Sequence, residues 1–230
     1  DNEETTRWIK QLVVPGASLG GARPKSSFRD PSGQLWLAKF PSSDDRHDVG
    51  LWEYLTYQLS LAAGIDMPEA RLMSLSKRGH TYAVKRFDRT PASRRTFSSA
   101  MTRLDATESE GHGYLDLVHV IETEGTPGRI ASDLEQLFRR VLFNILIGNR
   151  DDHLRNHGFL RMGEGWQLSP AFDVNPNPDK DHHVLAIDEH DPSPNSDRLI
   201  ATTDYYRLTK QAAAAVVDQA SADIVRQHHL

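Results

Sequence analysis

The chain of 230 residues contains no cysteine, which excludes disulfide bonds and thiolate zinc sites. It also contains no run that approaches the roughly 18 consecutive apolar residues of a transmembrane helix. The opening residues, DNEETT, have neither the basic nor the apolar region of a secretory signal peptide. These absences predict a cytoplasmic protein with no membrane partner.

A basic excess is missing as well, because the formal net charge is −5. Proteins that coat nucleic acids usually carry a positive balance, so general binding of DNA or RNA is not expected. The hydrophobic fraction of 38% and the charged fraction of 26% are ordinary for a globular protein. The length suffices for one large domain or for two lobes with a core.

The first part of the sequence predicts strands and one helix. Residues 34–40 follow a turn signal and are expected to form a strand. Residues 70–75 and 81–87 predict two further strands around a Lys-Arg-Gly turn. Residues 50–63 predict a helix, whose apolar stripe consists of Leu51, Leu55, Leu59 and Ala62.

Beyond Asp88 the pattern becomes helical. Helices are predicted over residues 113–123, 133–147 and 209–225, with a short hairpin at 159–168 and polar loops at 89–110 and 176–198. The helix at 133–147 is expected to begin at a capping box formed by Ser132 and Glu135. These elements predict an α+β, two-lobed protein-kinase-like fold. Residues 1–87 would form a small β-rich lobe and residues 88–230 a larger helical lobe, with nucleotide in the cleft between them.

The most informative run is NRDDHLRN, residues 149–156. Asp151 and Asn156 have the D-x-x-x-x-N spacing of a kinase catalytic loop. In such loops the Asp orients the acceptor hydroxyl and accepts its proton, and the Asn binds Mg²⁺. His153 departs from the common protein-kinase loop and would either contact phosphate or brace the loop. The alternative is a polar turn at a helix end, whose side chains bond the backbone.

A second carboxylate, Asp173, follows in the run SPAFDVNP, residues 169–176. A hairpin between Asp151 and Asp173 would bring the two carboxylates close together. Asp173 and Asn156 would then share Mg²⁺, as they do in kinases. The alternative is an Asp that caps a loop before Asn-Pro, but the two carboxylates together favour the metal site.

Lys39 lies at the end of a predicted strand, where a lysine can neutralise the charge of the ATP phosphates. Glu53 lies in the following helix and could hold Lys39 in an ion pair. A solvated lysine at a sheet edge and a solvent-facing glutamate are the alternatives.

The run GASLGGARPK, residues 16–25, is a glycine-rich turn before a strand. It matches neither G-x-G-x-x-G nor the Walker pattern, but its backbone N–H groups suit phosphate. Ser18 in this turn carries a hydroxyl that could be phosphorylated. The run VKRFDR, residues 84–89, is the expected connector, whose backbone would bond adenine. Asp88 in this connector could instead pair with Arg86 or Arg89.

With these segments in order, the chain resembles the HipA family of serine/threonine kinases, the toxins of bacterial toxin–antitoxin modules. The resemblance covers most of residues 13–208. It rests on GGARPK at 20–25, AKFP at 38–41, EY at 53–54, RFDR at 86–89, NRDDHLRNH at 149–157 and AFD at 171–173.

The resemblance implies a role for each matching position. Asp151 would be the catalytic aspartate, and Asn156 and Asp173 the Mg²⁺ ligands. Lys39, supported by Glu53, would contact the ATP phosphates. The rest of the predicted ATP site consists of Lys85 and Phe87, which would hold adenine through their backbone, and of Asp88, His153, Gly20 and Gly21. Ser18 would be autophosphorylated, which would eject the loop and switch the kinase off.

The resemblance also implies partners. Family members act on proteins of translation, notably aminoacyl-tRNA synthetases, and many bind a small HipB-like DNA-binding antitoxin, through which DNA would be contacted indirectly. The usual family chain has a further N-terminal subdomain. Either this chain is part of a longer protein, or the missing subdomain is a separate chain. Residues 89–128 depart from the family pattern, so the choice of substrate is not carried over.

Two other functions stay open at this point. A metal-dependent phosphohydrolase would use Asp151, Asp152, His153 and Asp173 as ligands around an activated water, but it would have no use for Lys39 or the glycine-rich turn. A non-catalytic pseudokinase would bind nucleotide without turnover. The presence of Lys39, Asp151, Asn156 and Asp173 counts against it.

Overall fold

The computed structural model describes residues 23–177 and 179–227. Ser18, Gly20 and Gly21 of the glycine-rich turn therefore lie outside the described residues. The chain divides into two compact units. One comprises the residues up to Tyr57 together with Pro68–Arg95, and the other comprises Gln58–Met67 and the residues from Thr96 onward.

The first unit contains a four-stranded antiparallel sheet in the order β1-β2-β4-β3. Its strands are β1 (Lys25–Arg29), β2 (Leu35–Lys39), β3 (Ala70–Ser76) and β4 (Gly79–Lys85). The predicted strands at 34–40, 70–75 and 81–87 are therefore confirmed, with small shifts at their ends. The core of the sheet consists of Phe28, Trp36, Ala38 and Ala83.

Asp30 organises the turn between β1 and β2. Its Oδ1 accepts hydrogen bonds from the backbone N–H groups of Ser32 and Gln34, both at 3.0 Å. Its Oδ2 accepts from Nε1 of the buried Trp36 at 2.9 Å. The carboxylate of Asp30 accepts hydrogen bonds from backbone N–H groups that would otherwise need another acceptor. This stabilises the reversal of the chain at the turn. The turn is thereby anchored to the core of the sheet.

Helix α1 (Val49–Ala62) is present as predicted, but its predicted apolar stripe is buried only in part, since Leu59 packs against the hydrophobic core while Leu55 does not. Leu55, from the apolar stripe, is 40% exposed, and Trp52 is 52% exposed. The buried positions are Gly50, Glu53, Thr56 and Ser60. The reason is visible at Gly50, where a Cβ would lie 2.1 Å from the carbonyl oxygen of His80 in β4. The backbone of β4 therefore passes too close to position 50 for any side chain there.

The second unit contains most of the helices. In chain order its elements are β5 (Phe97–Ser99), α2 (Ala100–Arg103), α3 (Tyr114–Glu124), α4 (Ile130–Ile147), β6 (Gly158–Met162), β7 (Gly165–Leu168), α5 (Ser196–Ala201) and α6 (Lys210–Gln227). The three strands pair antiparallel in the order β5-β6-β7. None of the described helices is both long and apolar enough to cross a lipid bilayer.

Helix α4 forms the centre of this unit and begins earlier than predicted. Leu134, Leu137 and Phe138 are fully buried on its apolar face. The predicted capping box is wrong, since the helix starts at Ile130 and Ser132 donates to the backbone oxygen of Arg129 at 2.8 Å. Ile130 packs against the core and extends the apolar stripe by one turn, which outweighs a start at Ser132.

The expectation of a loop over residues 89–110 is wrong in part. Residues 97–99 form β5 and pair with β6, about sixty positions further along the chain. Ser99 then caps α2, because its Oγ accepts from the backbone N–H of Thr102 at 3.2 Å. A strand of three residues is too short to show a periodicity, so only its pairing with β6 identifies it. The predicted loop at 176–198 ends earlier, because α5 starts at Ser196.

Candidate active site

The run at 149–156 lies directly after helix α4. Gly148 ends the helix in the left-handed conformation, with φ 68° and ψ 34°. The backbone N–H of Asn149 then donates to the carbonyl of Asn144 at 2.9 Å. A single 3₁₀ turn, Leu154–Asn156, follows before β6 begins. We call residues 149–156 the catalytic turn. It is short and bonded to regular structure at both ends.

Asp151 is the exposed carboxylate of the catalytic turn. Its side chain is 53% exposed and forms an ion pair with Lys180. The neighbouring Arg150 donates to the backbone oxygen of Lys180, so the segment around Lys180 lies against the turn. A carboxylate at the surface of the unit is accessible to a hydroxyl of an incoming substrate, as a phosphotransfer base requires.

Asp152, the next residue, points the other way and is buried. Its Oδ2 accepts hydrogen bonds from Oη of Tyr114 and Nδ2 of Asn144, both at 2.8 Å, and lies 2.7 Å from Nε2 of His157. Burial alone would raise the pKa of Asp152, but the charge of His157 and the hydrogen bonds with His157 and Tyr114 hold it below its usual value. Because this oxygen already has three polar neighbours inside the core, Asp152 is poorly suited to hold a metal for hydrolysis.

Tyr114 supplies one of these hydrogen bonds from the first turn of α3. Burial, followed by the negative charge of Asp152, raises the pKa of Tyr114 well above its ordinary value. The hydroxyl therefore keeps its proton and acts as a donor. No site role was predicted from the sequence for Tyr114, Asn144 or His157. Asn144 gives only a weak signal in the sequence, because the buried face of α4 also contains the polar residues Asp133 and Arg140.

Asn156 closes the 3₁₀ turn, and its backbone N–H donates to the carbonyl of His153 at 2.8 Å. Asn156 lines a pocket together with Asp152, Phe172 and Val174. Phe172 and Val174 are the two neighbours of Asp173. The structure therefore brings Asn156 and the segment that carries Asp173 to the same pocket.

Asp173 is held by the hairpin that the sequence predicted, formed by β6 and β7. After β7, the backbone N–H of Ser169 donates to Gly158 at 2.8 Å, and that of Ala171 to Asp66 at 2.8 Å. Beyond Asp173, the N–H of Asn177 donates to Gly148 at 2.9 Å, so the chain returns to the catalytic turn. Asp173 itself is exposed and has a left-handed backbone with φ 59°. Such conformations are uncommon outside glycine and often occur at functional sites.

Lys39 and Glu53 form an ion pair inside the first unit. Lys39 is 8% exposed and Glu53 is 5% exposed, so the alternatives of a solvated lysine and a solvent-facing glutamate are wrong. Nζ of Lys39 also lies 5.8 Å from the centre of the Tyr82 ring. Lysine and glutamate are seldom buried unless they are paired, and a buried pair contributes little to stability by itself. The pair is therefore better explained by a function of the lysine.

The connector residues lie at the end of β4. The backbone N–H of Lys85 donates to Glu69 at 2.8 Å. Asp88 is buried, and its carboxylate accepts from Arg86 at 2.7 and 2.6 Å and also binds Arg89. Burial would raise the pKa of Asp88, but the hydrogen bonds and charge of Arg86, with the charge of Arg89, lower it. The arginine pairing left open by the sequence is present, and contact of Asp88 or Phe87 with ATP stays a prediction.

His153 is half-buried, and its Nδ1 has no hydrogen-bond partner among the described residues. Within the same part of the chain, no group of three or more His, Asp or Glu side chains is arranged to hold a metal ion. A kinase site needs fewer protein ligands, since phosphate oxygens and water complete the shell of Mg²⁺. The amide oxygen of Asn156 and the carboxylate of Asp173 are hard oxygen ligands of the type that Mg²⁺ prefers.

Comparison with protein families finds a match to the HipA-like C-terminal domain over residues 17–228. The Sinorhizobium fredii protein named "Putative kinase Y4dM" is 27% identical over 178 residues, which cover 71% of this chain and 39% of that protein. A Haemophilus influenzae protein named "Putative kinase" is 26% identical over 195 residues, which cover 74% of this chain and 57% of that protein. The chain thus spans only part of the length of these curated relatives.

Two solved structures share the fold. A chain of the Shewanella oneidensis complex of HipA, HipB and operator DNA superposes with a TM-score of 0.74 at 18% identity, over 99% of this chain and 63% of that chain. The Helicobacter pylori proinflammatory kinase CtkA superposes with a TM-score of 0.57 at 14% identity, over 89% of this chain and 93% of that chain. At these identities the likeness shows a common mixed α and β fold.

Proposed function

Because the chain belongs to the family of the HipA-like C-terminal domain, we propose that it is a kinase that transfers the γ-phosphate of ATP to Ser or Thr of a protein. The observation that carries the proposal is the contrast within the catalytic turn. Asp151 is exposed, while its neighbour Asp152 is buried and bonded to the core. This leaves one carboxylate accessible, five residues before an Asn, as phosphotransfer requires.

In this proposal Asp151 orients the acceptor hydroxyl and accepts its proton late in the transfer. Asn156 and Asp173 hold Mg²⁺, which neutralises phosphate charge when bound. Lys39, kept in place by Glu53, binds the ATP phosphates. Lys85 and Phe87 would hold adenine, with Asp88 beside them. His153, Gly20 and Gly21 would contact phosphate.

The two-lobed arrangement, with residues 1–87 and 88–230 as lobes, belongs to the same proposal, as does a cytoplasmic location. The support for partners is the match to the complex of HipA with HipB and operator DNA. We propose that the chain binds a HipB-like antitoxin and that the antitoxin, not the kinase, contacts DNA. We also propose that the kinase inhibits growth by phosphorylating a protein of translation. A separate N-terminal-subdomain-like chain would complete the assembly. Autophosphorylation at Ser18 would switch the kinase off.

The test is incubation with γ-labelled ATP and Mg²⁺, comparing wild type with Asp151→Asn. Asp204→Asn is the matched control, because Asp204 is an exposed carboxylate of the same unit outside the candidate site. Label should appear on the chain or on an added protein, persist in Asp204→Asn, and be lost in Asp151→Asn. Mass spectrometry then locates the phosphate, and Ser18→Ala should keep its activity longer than wild type.

The same experiment separates the alternatives. Release of free phosphate from many phosphoesters without labelled protein would establish a phosphohydrolase instead. Binding of ATP without any turnover would establish a pseudokinase. The hydrolase is disfavoured beforehand by the burial of Asp152, one of its four required ligands.

A further inference from the structure

Asn144 holds the catalytic turn on both sides of Asp151. Its Oδ1 accepts from Nδ2 of Asn149 at 3.0 Å, and its Nδ2 donates to Oδ2 of Asp152 at 2.8 Å. Its backbone oxygen also accepts from the N–H of Asn149 at 2.9 Å. Asn144 and Asp152 are each 3% exposed, and Asn149 is 2% exposed. The backbone on either side of the exposed Asp151 is therefore tied to one buried side chain of α4.

Asp152 extends this connection to the far end of the turn. His157, directly after Asn156, contacts Oδ2 of Asp152 at 2.7 Å. Tyr114, the first residue of α3, donates to the same oxygen and lies edge-on to the His157 ring, with the ring centres 5.9 Å apart. One carboxylate oxygen thus joins α3, α4 and both ends of the segment that carries Asp151 and Asn156.

Stability alone does not explain such a network. Removing charges and amides from water is costly, and apolar residues of similar volume in a core are often equally or more stabilising. A fully bonded polar network instead permits few arrangements of its members. Catalytic groups need this precision, because a displacement of about 1 Å can cost roughly 10²-fold in rate.

We infer that Asp152 and Asn144 are positioning residues, which fix the catalytic turn so that Asp151 and Asn156 keep the spacing that phosphotransfer needs. The inference rests on the proposed kinase function. Neither residue touches substrate in this role. Their effect should therefore appear in the rate of transfer and in the mobility of the turn, and hardly in the binding of ATP.

The test compares Asp152→Asn with Asp133→Asn. Asp133 is a matched control, since it is also 3% exposed and joins α4 to β7, through the backbone N–H of Leu168 at 2.9 Å. We expect kcat to fall about 10²-fold in Asp152→Asn, with KM for ATP changed by less than about threefold. Asp133→Asn should lower the free energy of unfolding about as much as Asp152→Asn does, and it should leave kcat near the wild-type value.

Hydrogen exchange provides a measurement that does not depend on activity. Amides of residues 150–157 should exchange faster in Asp152→Asn than in wild type, while Asp133→Asn should leave them unchanged. If Asp152→Asn keeps both the wild-type kcat and the wild-type exchange, the inference is wrong and Asp152 is merely structural.

Two further outcomes are distinguishable. If wild type transfers no phosphate, the proposed function fails, and the exchange data still decide whether Asp152 orders the turn. If Asp152→Asn does not fold, Tyr114→Phe replaces it, because it removes one donor without changing the ring volume. A smaller fall in kcat at unchanged KM is then expected, and an unchanged kcat contradicts the inference.

Discussion

At the scale of single residues, Asp173 combines a left-handed backbone, φ 59°, with a proposed Mg²⁺ ligand. A left-handed residue costs roughly 1–2 kcal/mol for most side chains, while Asp and Asn tolerate it. Two substitutions at Asp173 therefore separate the need for a left-handed backbone from the need for a metal ligand. Asp173→Asn changes the charge alone, whereas Asp173→Val changes both the charge and the backbone preference.

We expect Asp173→Asn to keep the free energy of unfolding within about 0.5 kcal/mol of wild type and to lose Mg²⁺-dependent activity. Asp173→Val should lose the same activity and about 1–2 kcal/mol of stability. Asp105→Asn is the control, since Asp105 has φ 50° and lies outside the site. Denaturant unfolding and labelled-ATP transfer measure the two effects. Full activity of Asp173→Asn would contradict the metal assignment.

The Lys39–Glu53 pair predicts strong coupling between two residues, because both are almost fully buried. Lys39→Met or Glu53→Gln alone leaves the other group without its opposite charge, which costs on the order of 3–5 kcal/mol. The double variant should lose less than the sum of the two single losses, by about 0.5–3 kcal/mol.

An exposed pair in the second unit is the control for this cycle. Arg207 and Glu122 are 2.8 Å apart with side chains 55% and 37% exposed, and such pairs couple by about 0.2–1 kcal/mol. A double-mutant cycle by denaturant unfolding measures both couplings. Equal values for the two pairs would show that the burial of Lys39 and Glu53 has no energetic consequence.

At the scale of elements, the β6–β7 hairpin carries the chain from the catalytic turn to Asp173, and its glycines have different tasks. A Cβ on Gly165 would lie 2.5 Å from Cα and 2.6 Å from N of Thr126, which are backbone atoms. Gly163 has φ 60° and open space around its Cα. Gly165 is required because a side chain there would collide with the backbone of Thr126, whereas Gly163 is favoured only by its left-handed backbone conformation.

Gly165→Ala should therefore destabilise the protein more than Gly163→Ala. We expect overpacking at Gly165 to cost about 1–3 kcal/mol and to displace the Thr126 segment, whose backbone N–H at Thr126 donates to the carbonyl oxygen of Trp166 at 2.8 Å. Gly163→Ala should cost about 1 kcal/mol through its backbone alone. Denaturant unfolding measures the difference, and a reversed order would refute the packing argument.

This hairpin also shows what a sequence can reveal at the scale of elements. Periodicity and turn residues predicted the hairpin, the strand that ends at Lys39, and the two helices around residues 114–147, because these signals are local. The spacing of Asp151, Asn156 and Asp173 likewise indicated a kinase site, because kinases carry these groups in the same chain order, and the roles of the three residues stay a prediction.

The elements that were missed depend on distant partners. Strand β5 is defined by its pairing with β6, and the buried face of α1 by the close approach of β4 at Gly50. The Asp152 network was missed for the same reason. Tyr114, Asn144 and His157 are separated in sequence and meet only after α3 and α4 pack. Local sequence patterns do not show which distant residues will be in contact in the folded chain.

At the scale of the whole molecule, a ligand that binds only the folded chain raises its stability by mass action. At a ligand concentration of 100 times Kd the gain is about 2.7 kcal/mol. For a chain of 230 residues this corresponds to an increase in Tm of roughly 5–10 °C. Thermal unfolding with and without ATP and Mg²⁺ therefore tests nucleotide binding without requiring turnover.

Three variants should change this increase in Tm in different ways. Lys39→Met should remove it, because the phosphates lose their cation. Asp173→Asn should remove only the part that depends on Mg²⁺, so that ATP acts equally with and without the metal. Asp151→Asn should keep the whole increase, because Asp151 is assigned to the acceptor hydroxyl and not to ATP. A loss of the increase in Asp151→Asn, with Lys39→Met unaffected, would mean that the nucleotide binds at the catalytic turn in a different way, and the assignment of both residues would have to be abandoned.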